Sequence, residues 1–468
     1  MAESVQELVQ HIQQPGRVRT VALIFSLGWL VLIAGLWWVD PLLALAGMGG
    51  TMIFVLFGAY PMLPLYLMAF FYPFLHWEFV YSNLNAPIVD VIGLCALGAW
   101  LIRIFWKALL YPQELKKLRF PGIGIFAAFI VVALYSASQA WDVQMSLKFV
   151  LRPLLFFYAV YILYIVNTLK SKKQLHTVLA TMYAVGILIA VYGVYSFFTV
   201  NVPTFLDRRV IPVDIFGKNP LGANHNLVAD VMVTTIPIGF YLMMSAKRIA
   251  VQKLYFIGIA LMAGVNLLTF SRTGWIVLLL ELILLGFFEY RHHAKTILKY
   301  TVGTLVIASP LILGLVFFFG QDSFQSSNEN RLVLNDIAWE AFTDRPVHGT
   351  GPGTFTSVVD AYPLYLEMFG EALDAHGFIQ KVGSELGALG LISFVMLLLY
   401  IIYRIWNSFR QKHDDDEWSF LLIAVLLMAV GGIVFQLFQT SYFVSKMWLP
   451  LGVGLAAATI ALNKKKHG

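Results

Sequence analysis

Two short stretches of this sequence place side chains capable of chemistry beside long apolar runs. Residues 374–394 read DAHGFIQKVGSELGALGLISF, and His376 lies where the polar part ends and the apolar part begins. An imidazole titrates near neutral pH and can accept or return a proton. The second stretch is Ser271-Arg272-Thr273, which separates two apolar runs with almost no loop. Its guanidinium offers a fixed fork of donors that matches phosphate oxygens.

Both residues also have an ordinary structural interpretation. Arg272 could place its charge among lipid headgroups, and His376 could cap the helix that follows it. These alternatives stay open until the surrounding segments are placed, because a binding site needs cations and imidazoles from several segments at one end of the molecule.

The composition predicts an all-α, polytopic membrane protein. Of the 468 residues, 59% are hydrophobic and 12% are charged, and the mean hydropathy is +0.76. Soluble domains carry about 25% charged residues, and apolar runs of about 20 residues match the thickness of a bilayer's hydrocarbon core. The single cysteine, Cys95, allows no intramolecular disulfide. The polar N-terminus is too long for a cleavable signal peptide, so we expect the first apolar helix to be retained.

Apolar runs bounded by charged residues or proline indicate about fourteen transmembrane helices. The second and third are the least distinct, because GAYPMLP between them is equally compatible with a kink. The predicted organisation is a cytoplasmic N-terminal segment (1–18), helices 1–11 (19–319), a large periplasmic loop (320–377), helices 12–14 (378–463) and a basic tail (464–468). The predicted spans are 19–39, 41–58, 60–76, 87–108, 121–139, 149–167, 175–199, 226–245, 250–269, 273–290, 297–319, 378–403, 417–439 and 446–463.

The distribution of basic residues predicts the orientation. Alternate connections carry most of the 32 lysines and arginines, and short basic loops stay in the cytoplasm. Both termini are therefore expected in the cytoplasm. The remaining cations fall on or near the opposite face, where charge balance does not require them: Lys148, Arg152, Arg208, Arg209, Lys218, Arg272, Arg331, Arg345, Lys381 and Lys446.

Two connections on that opposite face are longer than a turn, at about 200–225 and 320–377. In the second, NRLVLNDIAWEAF has apolar residues at helical spacing and predicts a short helix along the membrane surface. DRPVHGTGPGTF is a proline and glycine turn cluster. Its G-x-G is weak evidence for phosphate binding, because no strand precedes it.

Taken together, these segments resemble the O-antigen ligase and polymerase family of bacterial envelope glycosyltransferases. The resemblance covers about residues 150–410, and it rests on the order and spacing of several motifs around one long loop. The family commonly has asparagine after the loop histidine, whereas this chain has Gly377. The segments that carry the resemblance are SRTGW, GKNPLGANHNLVAD, ENRLVLNDIAWEAFTDRPVHGTGPGTF and AHGFIQKVGSELGALGL.

The resemblance implies a GT-C-type helical fold in the bacterial inner membrane, with its active site on the periplasmic face. Such enzymes take a glycan from an undecaprenyl-diphosphate carrier. The acceptor is lipid A–core in ligases and a carrier-linked glycan in polymerases. By motif position, Arg272 and Arg331 would bind the diphosphate and His376 would be catalytic. Neither a cofactor nor a nucleic-acid partner is expected. Besides the glycan donor and the acceptor, the expected partner is membrane lipid.

The implied reaction suits these residue types. Charge builds on the departing diphosphate, and donors already aimed at it stabilise the transition state. Arginines can do this without a metal, and the outer segments contain no Asp-x-Asp and no ligand-spaced cluster, so we expect metal independence. His376 would serve as the base, or as an orienting hydrogen-bond acceptor, for the acceptor hydroxyl. Direct displacement would invert the anomeric centre.

Three further residues are secondary candidates for the site. Arg152, at an outer helix end, could join the diphosphate site. His225 is expected to cap the helix that follows it and to contact the acceptor. Lys381 could face the same pocket as His376 or pair with Glu385.

The helices themselves carry two further features. Glu281 lies in the middle of an apolar helix, so it should face the bundle and have a partner. The spacing of Gly383, Gly387 and Gly390 predicts close helix packing.

The sequence leaves four competing functions open. Ligase and polymerase share the same machinery, and a protein O-oligosaccharyltransferase would use the same donor. A membrane transporter of the bicarbonate-carrier type is the alternative from another class. Transporters place polar, broken helices at the midplane, often in two related halves, whereas here the polar residues concentrate in an outer loop. This contrast favours an enzyme.

Overall fold

The structure is a computed structural model. It describes residues 27–463 except for 29–30, 36, 82–83, 111–116, 201–207, 213, 215–216, 218, 290–320, 413–414 and 440–442. The predicted span 297–319 and the two terminal segments, 1–18 and 464–468, lie outside the described residues, as does most of the predicted span 19–39.

The described residues are almost entirely helical, which confirms the predicted all-α class, with one short antiparallel hairpin that the sequence did not predict. The hairpin pairs β1 (Glu78–Tyr81) with β2 (Leu84–Pro87). The helices are α1 (Pro41–Ala59), α2 (Met62–Phe71), α3 (Ile88–Leu110), α4 (Ile123–Ser138), α5 (Val143–Thr168), α6 (Lys172–Thr199), α7 (Asn226–Ser245), α8 (Ile249–Leu268), α9 (Arg272–Glu289), α10 (Gln321–Asp344), α11 (Phe355–Asp360), α12 (Pro363–Phe369), α13 (Phe378–Lys412), α14 (Asp416–Gln436) and α15 (Ser445–Asn463).

The protein is a multi-pass membrane protein. By length and composition, 8 helices in the described part of the chain can cross a bilayer, or up to 9 if the bent pair α1 and α2 is one span. The break in that pair falls in the GAYPMLP segment, which agrees with the kink interpretation. The predicted number of about fourteen spans is not tested by this count, because two predicted spans lie wholly or largely outside the described residues.

The chain divides into two compact units. Unit 1 contains residues 1–64 and 92–118, and unit 2 contains residues 65–91 and 119–468. Within unit 1, α3 lies close to α1 at Gly98, where an added Cβ would stand 2.6 Å from the Phe54 ring. Within unit 2, α7 packs mainly against α8 and α14, while α13 packs against α4, α14 and α15. All the candidate site residues belong to unit 2.

Helix α13 is broken near its start, and the proline and glycine turn fills the break. Gly387 has φ 66° and ψ −168° inside the helix, and a Cβ there would stand 2.4 Å from the Val347 carbonyl carbon. The backbone N–H of Ala388 donates to Pro346 O at 2.8 Å, and that of Gly351 donates to Glu385 O at 2.9 Å. The prediction of close helix packing at Gly387 is therefore wrong, because its missing side chain admits a loop.

The segment predicted as a periplasmic loop is itself mostly helical. Helix α10 has 24 residues, so it is longer than the short surface helix predicted from NRLVLNDIAWEAF. It packs against α11 and α13, and it shares a separate hydrophobic cluster with α11, α12 and the residues just before α13. Leu334, Ile337 and Ala338 of α10 are buried there with Phe355, Val359, Tyr365 and Ala375. Burial of this apolar stripe holds α10 against α11, α12 and the residues just before α13.

Candidate functional site

Arg272 stands on a tight, well-braced turn, as the sequence predicted. Helix α8 ends at Leu268, and Phe270 adopts φ 54°, a left-handed conformation that non-glycine residues rarely take. Ser271 Oγ accepts the Gly274 N–H at 3.1 Å, which caps the start of α9. Arg272 is therefore the first residue of a firmly held helix, and its side chain is exposed at the end of the bundle.

His225 is placed at the same end by the packing of α7 on α9. A Cβ at Gly274 would stand 2.8 Å from Ala229 Cβ, so the two helices approach closely one turn after His225. The predicted capping role of His225 is wrong: its side chain makes no capping hydrogen bond. Asn224 Oδ1 instead accepts the Asn226 N–H at 2.9 Å. The half-buried imidazole of His225 is therefore not used as a cap.

Arg331 is carried by α10 and fixed by the hydrophobic cluster beneath it. Leu334, three residues later and so on the same face, is buried in that cluster. Asn330, the residue before Arg331, accepts a hydrogen bond from the Tyr365 hydroxyl at 2.9 Å. Arg331 itself is half-buried, and its Nε has no hydrogen-bond partner among the described residues. A buried donor without an acceptor is costly, which makes this atom a candidate ligand contact.

His376 lies next to the same hydrophobic cluster. Its neighbour Ala375 is buried in the cluster that holds Leu334. Asp374 forms two hydrogen bonds of 2.6 Å to Lys381 Nζ and also accepts the Ala375 N–H. These contacts fix the backbone on the N-terminal side of His376 just before α13 begins.

Arg331 is the electrostatic centre of this group. Burial chiefly, and then the like charge of Arg272, lowers the pKa of the Arg331 guanidinium. Burial chiefly, and then the charge of Arg331, lower the pKa of His376 to about 4, and Asp374 partly opposes them. The structure thus brings together three residues that lie far apart in the sequence.

The charge of Arg331 also affects the second imidazole, that of His225. Burial chiefly, and then the charges of Arg209 and Arg331, lower the pKa of His225 to about 4. Both histidines are therefore neutral at neutral pH, beside arginines from three separate segments. Such a constellation attracts an anion and offers two imidazole nitrogens that can accept protons.

Comparison with known families tests the predicted resemblance. Residues 257–395 match the family model described as O-antigen ligase. This match supports the resemblance of the chain to the O-antigen ligase and polymerase superfamily. The match contains Arg272, Arg331 and His376, whereas His225 and Arg152 lie before it. A comparison with curated proteins found no match.

Within this family segment, Lys381 and Glu385 form the buried ionic network beneath the site. Lys381 Nζ lies 3.4 Å from Glu385 Oε1, and its side chain is 4% exposed. The pairing with Glu385 that the sequence allowed is therefore present. Glu385 in turn accepts the N–H groups of Gly353 and Phe355 at 2.9 and 3.0 Å. Lys381, through its ion pair with Glu385, therefore helps to hold the proline and glycine turn on α13.

Arg152 and Glu281 have other surroundings. The exposed Arg152 donates a hydrogen bond to Asn85 O, so its guanidinium is engaged with the hairpin. Glu281 is buried, and a Cβ at Gly431 of α14 would meet its Oε1. It faces the bundle as predicted. The predicted partner is not found, because neither carboxyl oxygen has a hydrogen-bond partner in the described part of the chain.

Gly377, the departure from the family pattern, occupies a space that admits no side chain. A Cβ there would stand 2.4 Å from both Leu437 O and Gln380 Oε1. The Gln380 amide therefore fills the volume next to His376 where an asparagine side chain would lie, and its buried Oε1 has no partner among the described residues.

We predict that Gly377→Ala destabilises the protein by about 1–3 kcal/mol, because the new methyl group overpacks the Leu437 carbonyl. Thermal unfolding in detergent measures this change. Gly383→Ala is the matched control in the same segment, since its nearest neighbours lie 3.9 Å from the added Cβ. Equal stability of the two variants would contradict the assigned packing of Gly377.

Sequence reasoning missed two neighbours of the candidate site residues. Arg209 was one cation among the outer loops, and only the folded position of His225 reveals its influence. For Gln380, the sequence contains no indication of a role except its position four residues after His376. Among the described residues, no group of three His, Cys, Asp or Glu side chains gathers as a metal site.

Proposed function

We propose that this chain transfers a glycan from an undecaprenyl-diphosphate carrier to an acceptor hydroxyl at the Arg331 site. The match of residues 257–395 to the O-antigen ligase family supports the reaction class. The observation that carries the proposal is the buried, unpaired Nε of Arg331, between a second arginine and two neutral imidazoles.

In this proposal the arginines bind the diphosphate. Arg331 Nε meets a phosphate oxygen, Arg272 adds charge from the start of α9, and Arg209 borders the site beside His225. Bound diphosphate removes the repulsion between the cations and supplies the acceptor that Arg331 lacks. As the sugar–oxygen bond breaks, its electron pair passes to the diphosphate, and the arginines stabilise the charge that develops there.

His376 then accepts the proton of the acceptor hydroxyl while that oxygen attacks the anomeric carbon. The new glycosidic bond forms as the bond to the diphosphate breaks, so the anomeric centre is inverted. The products are the extended acceptor and undecaprenyl diphosphate. His225 orients the acceptor. Arg152 is engaged with the hairpin through Asn85 O, so the main diphosphate contacts come from the other arginines.

An apolar groove offers a path for a lipid chain beside this site. A cavity of about 180 Å³ lies between α10 and α13, lined by Asn335, Trp339 and Gln380 among others. Asn335 lies one helical turn beyond Arg331 on the same face. We assign this groove to the first part of the polyprenyl chain of the donor.

Purified protein, undecaprenyl-diphosphate-linked glycan and a panel of acceptors test the proposal directly. We expect transfer in the presence of EDTA, and loss of transfer in His376→Ala and Arg331→Ala. Lipid A–core and carrier-linked glycans in separate reactions distinguish ligase from polymerase. A protein acceptor tests the protein O-oligosaccharyltransferase alternative. If wild type and both variants give equal product, or none gives any, the proposal is wrong. A requirement for added divalent metal would refute the metal-independent mechanism alone.

The pH dependence of the reaction carries a further prediction. In the free protein His376 protonates only near pH 4, so kcat/KM should not fall between pH 8 and 6 from this group. The bound diphosphate is an anion, which favours the imidazolium and raises the pKa of His376 toward its ordinary value of about 6.5. The acid limb of kcat should therefore lie at higher pH than that of kcat/KM. Coincident limbs, or the opposite order, would contradict the placement of His376 beside the diphosphate.

A further inference from the structure

A second cavity lies at the opposite end of the helix bundle from the candidate site. It has a volume of about 330 Å³ and is lined by two arginines, Arg119 and Arg404, with Tyr400, Thr459 and Asn463. The rest of its lining is aromatic or aliphatic. We call it the arginine pocket. It combines cations with an apolar wall, as a site for an amphipathic anion would.

The position of the arginine pocket follows from the helices that form it. Helix α4 begins just after Arg119, and Ser136 at its other end donates to Glu385 O at 2.8 Å, beside the candidate site. Along α13, Arg404 lies 17 residues after Gly387, or about 25 Å at 1.5 Å per residue. That distance approaches the thickness of the hydrocarbon core. The arginine pocket therefore faces the other leaflet, which the basic-residue pattern predicts to be the cytoplasmic one.

The backbone of the arginine pocket is firmly held. The side-chain amide of Asn167 accepts the Arg119 N–H at 3.0 Å and donates to Arg119 O at 2.8 Å. The Tyr158 hydroxyl donates to Pro121 O at 2.9 Å. Gly122 has φ 69°, and a Cβ there would stand 3.0 Å from the Tyr400 ring. The turn before α4 is thus fixed on α5 and α13, so the pocket is preformed.

In the described part of the chain, no acidic side chain balances the charges in the arginine pocket. Arg404 lies over the Tyr400 ring, with its guanidinium carbon 5.9 Å from the ring centre. Burial, and then the like charge of Arg404, lowers the pKa of Arg119. Among the described residues, no carboxylate forms a salt bridge with either arginine. Two neighbouring guanidinium groups at a membrane boundary are costly unless an anion joins them.

We propose that the arginine pocket binds the phosphate of an anionic phospholipid in the leaflet opposite the candidate site. The two guanidinium groups hold the phosphate oxygens, Thr459 and Asn463 contact the polar headgroup, and the apolar wall receives the start of an acyl chain. Basic pockets between transmembrane helices bind anionic headgroups in this way.

Native mass spectrometry of the detergent-purified protein with phosphatidylglycerol tests this site, with phosphatidylcholine as the neutral lipid. Arg119→Gln and Arg404→Gln should each weaken phosphatidylglycerol binding by about tenfold, the loss of one charge-assisted contact. Arg248→Gln removes an exposed arginine outside the pocket and should bind as wild type does. Arg404→Lys retains the charge and should lose less than Arg404→Gln. Thermal unfolding without lipid shows whether each variant is folded.

Three outcomes would overturn the proposal. One is equal phosphatidylglycerol binding by wild type and both glutamine variants. Another is equal binding of phosphatidylcholine and phosphatidylglycerol, which would remove the role of charge. A third is competition by millimolar inorganic phosphate, with stabilisation by phosphate in the absence of lipid; the site would then take a soluble anion.

Discussion

Arg331→Ala is expected to lower the rate of glycan transfer by about 10²–10³-fold, the effect of removing one donor aimed at developing charge. The same change should leave the free energy of unfolding unchanged or raise it. Arg331 is half-buried, its Nε lacks a partner among the described residues, and Arg272 repels it. Loss of function with retained stability is the signature of a residue kept for its ligand. Transfer assays and thermal unfolding on one preparation measure both.

Two further variants sharpen this result. Arg331→Lys keeps the charge but not the planar fork, so it should restore only a minor part of the activity. Arg345→Ala, an exposed arginine just after α10 that donates to Gln139 O, should stay within about twofold of wild type, as surface changes of under 0.5 kcal/mol do. If Arg331→Ala transferred glycan as fast as Arg345→Ala, the diphosphate site would not be at Arg331.

Glu385→Ala is expected to destabilise the protein by about 3–5 kcal/mol, the cost of breaking a buried ion pair. The change removes the acceptor of the Gly353 and Phe355 N–H groups and leaves Lys381 with Asp374 alone. Because Asp374 positions the backbone beside His376, activity should fall with stability. Thermal unfolding in detergent is the first measurement.

The control for this prediction is Glu367→Ala, which removes an exposed carboxylate from α12 and should change stability by less than about 0.5 kcal/mol. Glu385→Gln retains one acceptor oxygen and should fall between the two. A Glu385→Ala variant as stable as Glu367→Ala would show that the network does not hold the loop on α13.

The features that the sequence predicted well are local ones. Arg272 interrupts two apolar runs, so a tight turn was the only way to continue, and His376 directly precedes an apolar helix. The presence of the helices could be predicted from the hydrophobic periodicity and the length of the apolar runs. The family resemblance joined the same segments in order, and it supplied the expectation that Arg331 belongs with them.

The features that could not be predicted depend on contacts between distant segments. Leu334 and Ala375 share one hydrophobic cluster, and this tertiary packing brings Arg331 to His376. The break at Gly387 exists because the Pro346–Gly351 turn fills it, and a glycine in a helical pattern does not reveal that partner. Lys381 could point to the site or to Glu385 until the loop was placed.

The central claim is that Arg331 and His376 serve one reaction, in binding the diphosphate and in accepting the proton. The most direct measurement pairs donor binding with single-turnover transfer in His376→Ala, using undecaprenyl-diphosphate-linked glycan and the acceptor that the wild type uses. We expect the variant to bind the donor within about threefold of wild type, a difference under 1 kcal/mol, and to transfer at least about 10²-fold more slowly. Single-turnover transfer at the wild-type rate by His376→Ala would contradict the central claim.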